Sequence, residues 1–251
     1  WNTYRGDHFG EVIWARYAPG LERGDRYYED DSQKDDFNLF LKAGYQLGDA
    51  WRFFADLQYR GVRYQANGRE TGLVDDRFRF FNPKAGLTYA LSAGQDLYVS
   101  YAVANREPNR NDYENGNPRP ERLQDIELGW RYRKGASYLN VNGYYMRYKD
   151  QLVLTGELND VGAPLRANVG DSYRLGLEVD AGLQLSERWT WQPNLALSIN
   201  RNVDFFFRRD GELQALGDTE IAYSPGVVAG SRLVYRPGER LELAMLNKYV
   251  G

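Results

Sequence analysis

His8 is the only imidazole in the 251 residues, and cysteine is absent. Any Ser-His-acid triad would have to be built on His8, and no Gly-x-Ser-x-Gly elbow occurs to present the serine. Thiolate catalysis, disulfides and Cys-type metal sites are excluded outright. One imidazole is too few for a tight metal or haem site, so no resident cofactor is expected and His8 reads as an ordinary turn residue. Glu29, Asp30, Asp31 and Asp35 are oxygen donors of the kind that hold Ca²⁺, but their spacing lacks the EF-hand pattern and fits a solvated acidic loop better.

A second group is basic and aromatic. Arg26, Tyr27 and Tyr28 share the acidic segment, and Arg106, Arg110, Tyr113, Arg119, Arg208 and Arg209 follow in later polar stretches. Guanidinium forks bind oxyanions bidentately, and a cluster of them focuses an attractive field. Gathered at one mouth, these residues would draw in an anionic ligand; taken singly, each also suits a merely hydrated rim. A third group, Glu127, Arg131, Arg174, Glu178 and Asp180, alternates with apolar neighbours and reads best as charges pairing across adjacent strands.

The elements that position these residues are long β-strands. From Ser172 to Leu185 the odd positions are Tyr173, Leu175, Leu177, Val179, Ala181, Leu183 and Leu185, while every even position is polar or glycine. A period of two without exception is a strand with one oily and one wet face. Its length exceeds the common strand of about five or six residues and matches the roughly 9 to 11 that a tilted strand needs to cross hydrocarbon. Similar alternation marks Asp36–Leu47, Trp51–Tyr64, Phe78–Leu91, Leu97–Val103, Leu123–Arg133, Trp189–Asn200, Ile221–Tyr235 and Leu241–Tyr249, with a weaker first candidate at Phe9–Tyr17. In Tyr138–Thr155 the apolar parity changes near Gly143, from Leu139 and Val141 to Tyr144, Met146 and Tyr148, which predicts a β-bulge.

About eleven strands result, and no helix is expected. Tight turns alternate with long polar connections after Tyr17, Tyr64, Asn105, Thr155 and Val203, so all long loops fall at one end of an up-and-down meander. That asymmetry is the transmembrane-barrel pattern of short periplasmic turns and longer extracellular loops. A mean hydropathy of −0.68 does not oppose it, because a barrel strand gives half its side chains to a wet lumen. Tyrosine (20) and tryptophan (6) are abundant, as at membrane interfaces. The net charge of −3 argues against nucleic acid as a partner. The competing reading is a soluble antiparallel sandwich, which also alternates. Charged residues on nearly every strand suit a large aqueous lumen better than a dry core.

Several stretches resemble the barrel of TonB-dependent outer-membrane receptors: Asn82-Pro83-Lys84-Ala85-Gly86-Leu87-Thr88-Tyr89, Arg106-Glu107-Pro108 with Asn109-Arg110-Asn111-Asp112-Tyr113, Pro120-Glu121-Arg122-Leu123, Tyr148-Lys149-Asp150-Gln151-Leu152-Val153, and Asn168-Val169-Gly170-Asp171-Ser172-Tyr173-Arg174-Leu175-Gly176-Leu177-Glu178. The resemblance implies an all-β, antiparallel up-and-down transmembrane barrel of 22 strands, of which residues 1–251 are a part, with the plug domain and final strands outside this segment. It implies an integral protein in the outer membrane of a Gram-negative bacterium, surrounded by outer-membrane lipid. Uptake of a scarce nutrient would follow: a ferric siderophore or similar metal chelate, haem or cobalamin, powered by the TonB complex acting through the plug. Glu127, Arg131, Arg174, Glu178 and Asp180 would then face that plug. A passive porin-like channel is the alternative, and a barrel enzyme using His8 a more remote one.

Overall fold

The computed structural model describes the chain except for residues 17, 18, 70, 115, 159–161, 163, 210 and 211, and the side chains of 207–209, 212 and 213. One antiparallel sheet dominates. It runs in chain order through β1 (Asn2–Glu11), β2 (Arg26–Leu47), β3 (Trp51–Gly68), β4 (Gly72–Ser92), β5 (Gln95–Arg106), β6 (Glu121–Lys134) and β7 (Ser137–Lys149). A separate hairpin, β8 (Leu152–Leu158) with β9 (Pro164–Asn168), interrupts the sequence before β10 (Asp171–Gln184) rejoins the sheet beside β7. β11 (Trp189–Arg209), β13 (Val227–Gly238) and β14 (Leu241–Val250) complete it, while β12 (Glu212–Glu220) pairs only with the distal part of β11.

The register carries the alternation of each strand across the sheet. On one face Ile126 stands beside Tyr145, Tyr145 beside Leu175, and Leu175 beside Ile199. The next row is Leu128, Gly143, Leu177, Leu197 and Val227. The row between them belongs to the other face and holds Glu127, Tyr144, Gly176 and Ser198. Among the described residues no second sheet covers the apolar face: Leu41 is 65% exposed and Leu128 63%. Side chains of a sandwich core would be buried, so this face is built for lipid. Towards the short turns it ends in aromatic pairs, Trp51 tilted against Tyr89 and Trp189 stacked on Tyr235, each with ring centroids 4.4 Å apart. Such rings suit the interfacial belt of a membrane strand.

The polar face solves a different packing problem. Large rings there lie over glycines directly across the ladder: Phe54 over Gly86, Tyr98 over Gly129, Tyr144 over Gly176 and Tyr138 over Gly182. A Cβ at Gly129 would sit 2.2 Å from the Tyr98 ring. That ring is fixed from two further sides, since its hydroxyl donates to Asn142 at 2.9 Å and the Arg131 guanidinium lies over it at 4.3 Å.

These tyrosines correct one expectation. β7 contains no bulge; its register is unbroken from Ser137 beside Lys134 to Lys149 beside Arg122. The outward set continues through Leu139, Val141, Gly143 and Tyr145, and Tyr144 and Tyr148 are rings on the wet face rather than displaced lipid contacts. Other boundaries also move. The first strand is Asn2–Glu11 rather than Phe9–Tyr17, whose last residue lies outside those described, and residues 221–226 precede β13 instead of forming its start. Stretches read as loops, 26–35, 65–68 with 72–77, and much of 203–218, are strand: β2, β3, β4, β11 and β12 extend well past the apolar belt. Beyond the hydrocarbon both faces are wet, so the side-chain alternation fades while the hydrogen-bond ladder continues. One short helix, α1 (Arg110–Tyr113), lies where none was expected.

Two outcomes follow for the full-length protein folded into vesicles. Leu177→Arg, at mid-strand on the apolar face, should lower its unfolding free energy by about 2 to 4 kcal/mol, whereas Arg174→Gln on the wet face costs less; equal losses in urea titrations would reject the face assignment. Gly129→Ala should cost about 1 to 3 kcal/mol by overpacking against Tyr98. Tyr98→Ala in the same chain should recover part of that loss, which a double-mutant cycle reads directly.

Candidate functional site

The connection from β5 to β6 does not hang free; it folds against the polar face of the extended β2, β3 and β4. Its anchor is a capping box. The Asn109 side chain accepts from the Asp112 backbone N–H at 3.2 Å, and the Asp112 carboxylate accepts from the Asn109 N–H at 2.7 Å. Reciprocal caps satisfy amides that a helix start otherwise leaves bare. The single turn of α1 thus fixes the directions of Arg110 and Tyr113.

Tyr113 stacks on Tyr64 with centroids 5.4 Å apart, and its hydroxyl donates to Asp76 at 2.7 Å. Together with Ala66 and Val74 these rings form a small buried cluster. Burial, then the Asp76 carboxylate, pushes the Tyr113 hydroxyl far above the ordinary tyrosine range, so it remains a hydrogen-bond donor. Arg110 reaches the buried carboxylate of Asp30 on β2 and also pairs with Glu114 at 3.4 Å. Glu107 binds Lys34, and Arg60 reaches it through two nitrogens at 2.7 and 2.9 Å. Arg60 also donates to Asp36 at 2.9 Å, tying β2, β3 and the connection into one network.

A second structure closes over the neighbouring strands. The β8–β9 hairpin packs Val153 against Val169 and Phe205, and the Ser172 hydroxyl donates to Gln151 at 2.6 Å. Glu121 accepts from Arg106 at 2.7 Å and from the Leu152 amide. Between hairpin and sheet lies a hollow of about 320 Å³, into which the sides of Arg106, Glu121, Tyr148, Arg166 and Arg174 are gathered. Arg174 donates to the Tyr148 hydroxyl at 2.9 Å, and Arg166 lies 4.0 Å from Asp112 of α1. Burial raises the Asp112 carboxyl above the usual carboxylate range, against its hydrogen bond from Asn109 and the nearby arginines.

The basic and aromatic residues read from the sequence therefore do not form one mouth. Arg110 and Tyr113 come together with Asp30, but as structural clamps. Arg106 reaches the hollow. Arg26 is held by Glu11 and Glu29 over the Phe9 ring, and Tyr27 packs edge-on to Tyr28 with centroids 5.2 Å apart, all on the β1–β2 ribbon. Arg119 pairs with Asp150 at 2.7 Å. The side chains of Arg208 and Arg209 lie outside the described residues; their backbone belongs to β11 rather than to a loop. His8 rests against Tyr28 on β1, not in a turn. Alternation along β2 sends Asp30 to the opposite face from Glu29, Asp31 and Asp35, so the four acids do not converge. Of the wet-face charges, Arg131 and Arg174 sit over Tyr98 and Tyr148, Asp180 faces Asn140 at 3.4 Å, Glu127 lies 3.4 Å from the Ser100 hydroxyl, and Glu178 stands beside Asn142 in the register. Their neighbours across adjacent strands are polar side chains and rings. Lys34, Arg60, Asp76 and Glu107 were not singled out from the sequence; the one available signal was that the first two share the wet-face parity of their strands.

Burial alone would raise the Glu107 carboxyl, but its bonds from Lys34 and Arg60 outweigh that and hold it below the ordinary value. A depressed carboxylate stabilises the folded form above its unfolded pKa, about 4.3, and loses that contribution as pH falls through the folded value. A spin label on Asn111→Cys in α1, the only cysteine of residues 1–251, should be immobile at neutral pH and gain mobility only in acid. Glu107→Gln should loosen it at neutral pH as well, weakening docking by about 1 to 3 kcal/mol.

A comparison with protein families matches residues 1–248 to "TonB dependent receptor-like, beta-barrel". Among solved structures, the siderophore receptor PiuA from Acinetobacter baumannii superposes with a TM-score of 0.73 at 15% identity, over 91% of this chain and 34% of that one. The FrpB iron transporter from Neisseria meningitidis gives 0.65 at 19% identity, over 88% and 33%. The ferric yersiniabactin uptake receptor FyuA from Yersinia pestis gives 0.66 at 16%, over 90% and 36%. No curated protein sequence matches. The chain thus spans about a third of the length of these receptors. With its antiparallel meander, its lipid-built face and a family match over nearly every residue, this chain belongs to the β-barrel family of TonB-dependent receptors.

Proposed function

We propose that this chain is part of the wall of a plugged outer-membrane barrel that takes up an iron chelate of the siderophore type, driven by a TonB complex acting through the plug. The family match across residues 1–248 carries the reading. On this reading β1 and β14 pair with the remaining strands of a 22-stranded barrel, and the plug lies against the face that bears Glu127, Arg131, Arg174, Glu178 and Asp180. The hollow beside Arg106, Arg166 and Arg174 is the part of this segment best suited to an oxygen-rich, anionic chelate. Guanidinium groups there are held in place by Glu121, Asp112 and Tyr148 before any ligand arrives, which reduces the ordering cost of binding. Arg26, Tyr27, Tyr28, Arg119, Arg208 and Arg209 belong on this reading to outer segments past the belt, and make first contact at most.

The test is uptake by the full-length receptor in iron-starved cells lacking other iron receptors. Labelled ferric siderophores should accumulate, and a protonophore should stop accumulation without abolishing surface binding. Arg174→Ala should reduce binding while the barrel stays folded. Open ion conductance in planar bilayers with protonophore-insensitive flux would instead establish a passive channel. Hydrolytic activity lost on His8→Ala would establish an enzyme.

A further inference from the structure

β12 and β13 lie along the same edge of β11, and between them the chain leaves the ladder. Arg201 stands beside Glu220 and Leu197 beside Val227, so that residues 198–200 of β11 face the longer stretch 221–226. The ladder closes on either side of this excess: the Ile221 amide donates to the Asn200 carbonyl at 3.3 Å, and the Ser198 amide to the Gly226 carbonyl at 2.8 Å. The surplus chain is drawn onto the wet face. Asn200 and Ser198, which alternate to that face, donate from their side chains to the carbonyls of Ser224 at 3.3 Å and Pro225 at 3.1 Å. Asn200 is also the cross-strand neighbour of Arg174. Ile221 and Ala222 accordingly join Arg106, Arg166 and Arg174 in lining the hollow of about 320 Å³.

Tyr223, the next residue, has a φ of 56°. A bulky side chain seldom takes that conformation, whereas glycine takes it freely. Nothing in the wall offsets the strain: Tyr223 is 92% exposed and, among the described residues, makes no hydrogen bond or ring contact. Bulges at barrel rims re-aim a side chain, and strain that packing does not offset is a mark of binding sites. The hollow beside it sets three guanidinium groups against one lining carboxylate, Glu121, and adds apolar wall from Leu152, Val153 and Ile221. Such a lining favours a ligand that is anionic and yet presents flat apolar surface.

We propose that Tyr223 is a specificity-determining residue of this hollow, and that the chelate it selects is of the catecholate type, with iron held by deprotonated aromatic diols. The ligand's ring gives its face to Tyr223 while its anionic oxygens meet Arg106, Arg166 and Arg174. A trihydroxamate complex is uncharged at iron and leaves the guanidinium groups unanswered; ferric citrate is anionic but offers no ring. The proposal rests on the chelate-uptake reading and narrows it.

Dissociation constants of the full-length receptor in nanodiscs for radiolabelled ferric tricatecholate, ferric citrate and ferric trihydroxamate test this. The tricatecholate should bind tightest. Tyr223→Gly removes the ring and suits the positive φ; it should weaken tricatecholate binding roughly fivefold, as loss of an aromatic pair does, and leave ferric citrate unchanged. Tyr223→Phe should bind as the wild type does. The urea midpoint of Tyr223→Gly should equal or exceed that of the wild type, which separates weaker binding from lost folding. Unchanged tricatecholate affinity in Tyr223→Gly would overturn the proposal, as would equal losses for tricatecholate and citrate or a wild-type preference for the trihydroxamate. If Arg174→Ala weakens both anionic complexes while Tyr223→Gly weakens neither, the uptake reading stands and this proposal alone falls. Binding of none of the three by the wild type removes both.

Discussion

In hydrocarbon no water is available to satisfy a backbone amide, so every N–H and C=O at membrane depth must find its partner in a neighbouring strand. β10 obeys this on both edges, paired with β7 along one and β11 along the other through almost its whole length. Once the ladder is compulsory, side chains have only two directions, and two solvents separate them. Leucine, isoleucine and valine go to lipid, and arginine, glutamate and asparagine go to the aqueous side. The glycines opposite Phe54, Tyr98, Tyr138 and Tyr144 belong to the same constraint. A ring on the wet face lies down on the neighbouring strand, and only a residue without a Cβ leaves the floor clear.

Past the membrane boundary the ladder persists but its side-chain rule is lifted. β1, β2, β3 and β4 continue as a four-stranded ribbon, and what the ribbon needs there is not lipid but cover. The connection after β5 supplies it with a core of only Tyr64, Ala66, Val74 and Tyr113, too little apolar area to fix a segment of that length. Charged groups do the rest. Glu107 with Lys34 and Arg60, and Arg110 with Asp30, are short pairs among largely buried partners, and their directionality sets the position of the connection more tightly than so small a core could.

This division explains what was legible beforehand. Within the belt, parity alone placed Leu175, Leu177, Glu178 and Arg174 on the correct faces, and the order of tight and long connections gave the meander of eleven strands. It failed where a side chain's chemistry is ambiguous. Tyr144 and Tyr148 counted as apolar and produced a false bulge, although a tyrosine over glycine serves the wet face equally well. It also failed beyond the belt, where 26–35 and 65–77 looked like loops because polarity on both faces is what loops and solvated strands share. The clamp was not legible because its halves are far apart in sequence: Lys34 and Glu107, or Asp30 and Arg110, meet only once the capping box at Asn109 has turned the chain inward.

The same geometry bears on how recognition is divided among the charged residues. Arg110 and Tyr113 looked like ligand contacts, but one is committed to Asp30 and the other to Asp76, and withdrawing Arg110 would cost the buried Asp30 carboxylate its charged partner. A residue in that position cannot also be spent on a transient ligand without undocking the connection. Arg174 is constrained differently: its partner is a neutral tyrosine hydroxyl, so turning towards an incoming oxyanion exposes no charge. An arginine held by a neutral group can thus turn without baring a charge, whereas Arg110, held by the buried Asp30, keeps the connection in place.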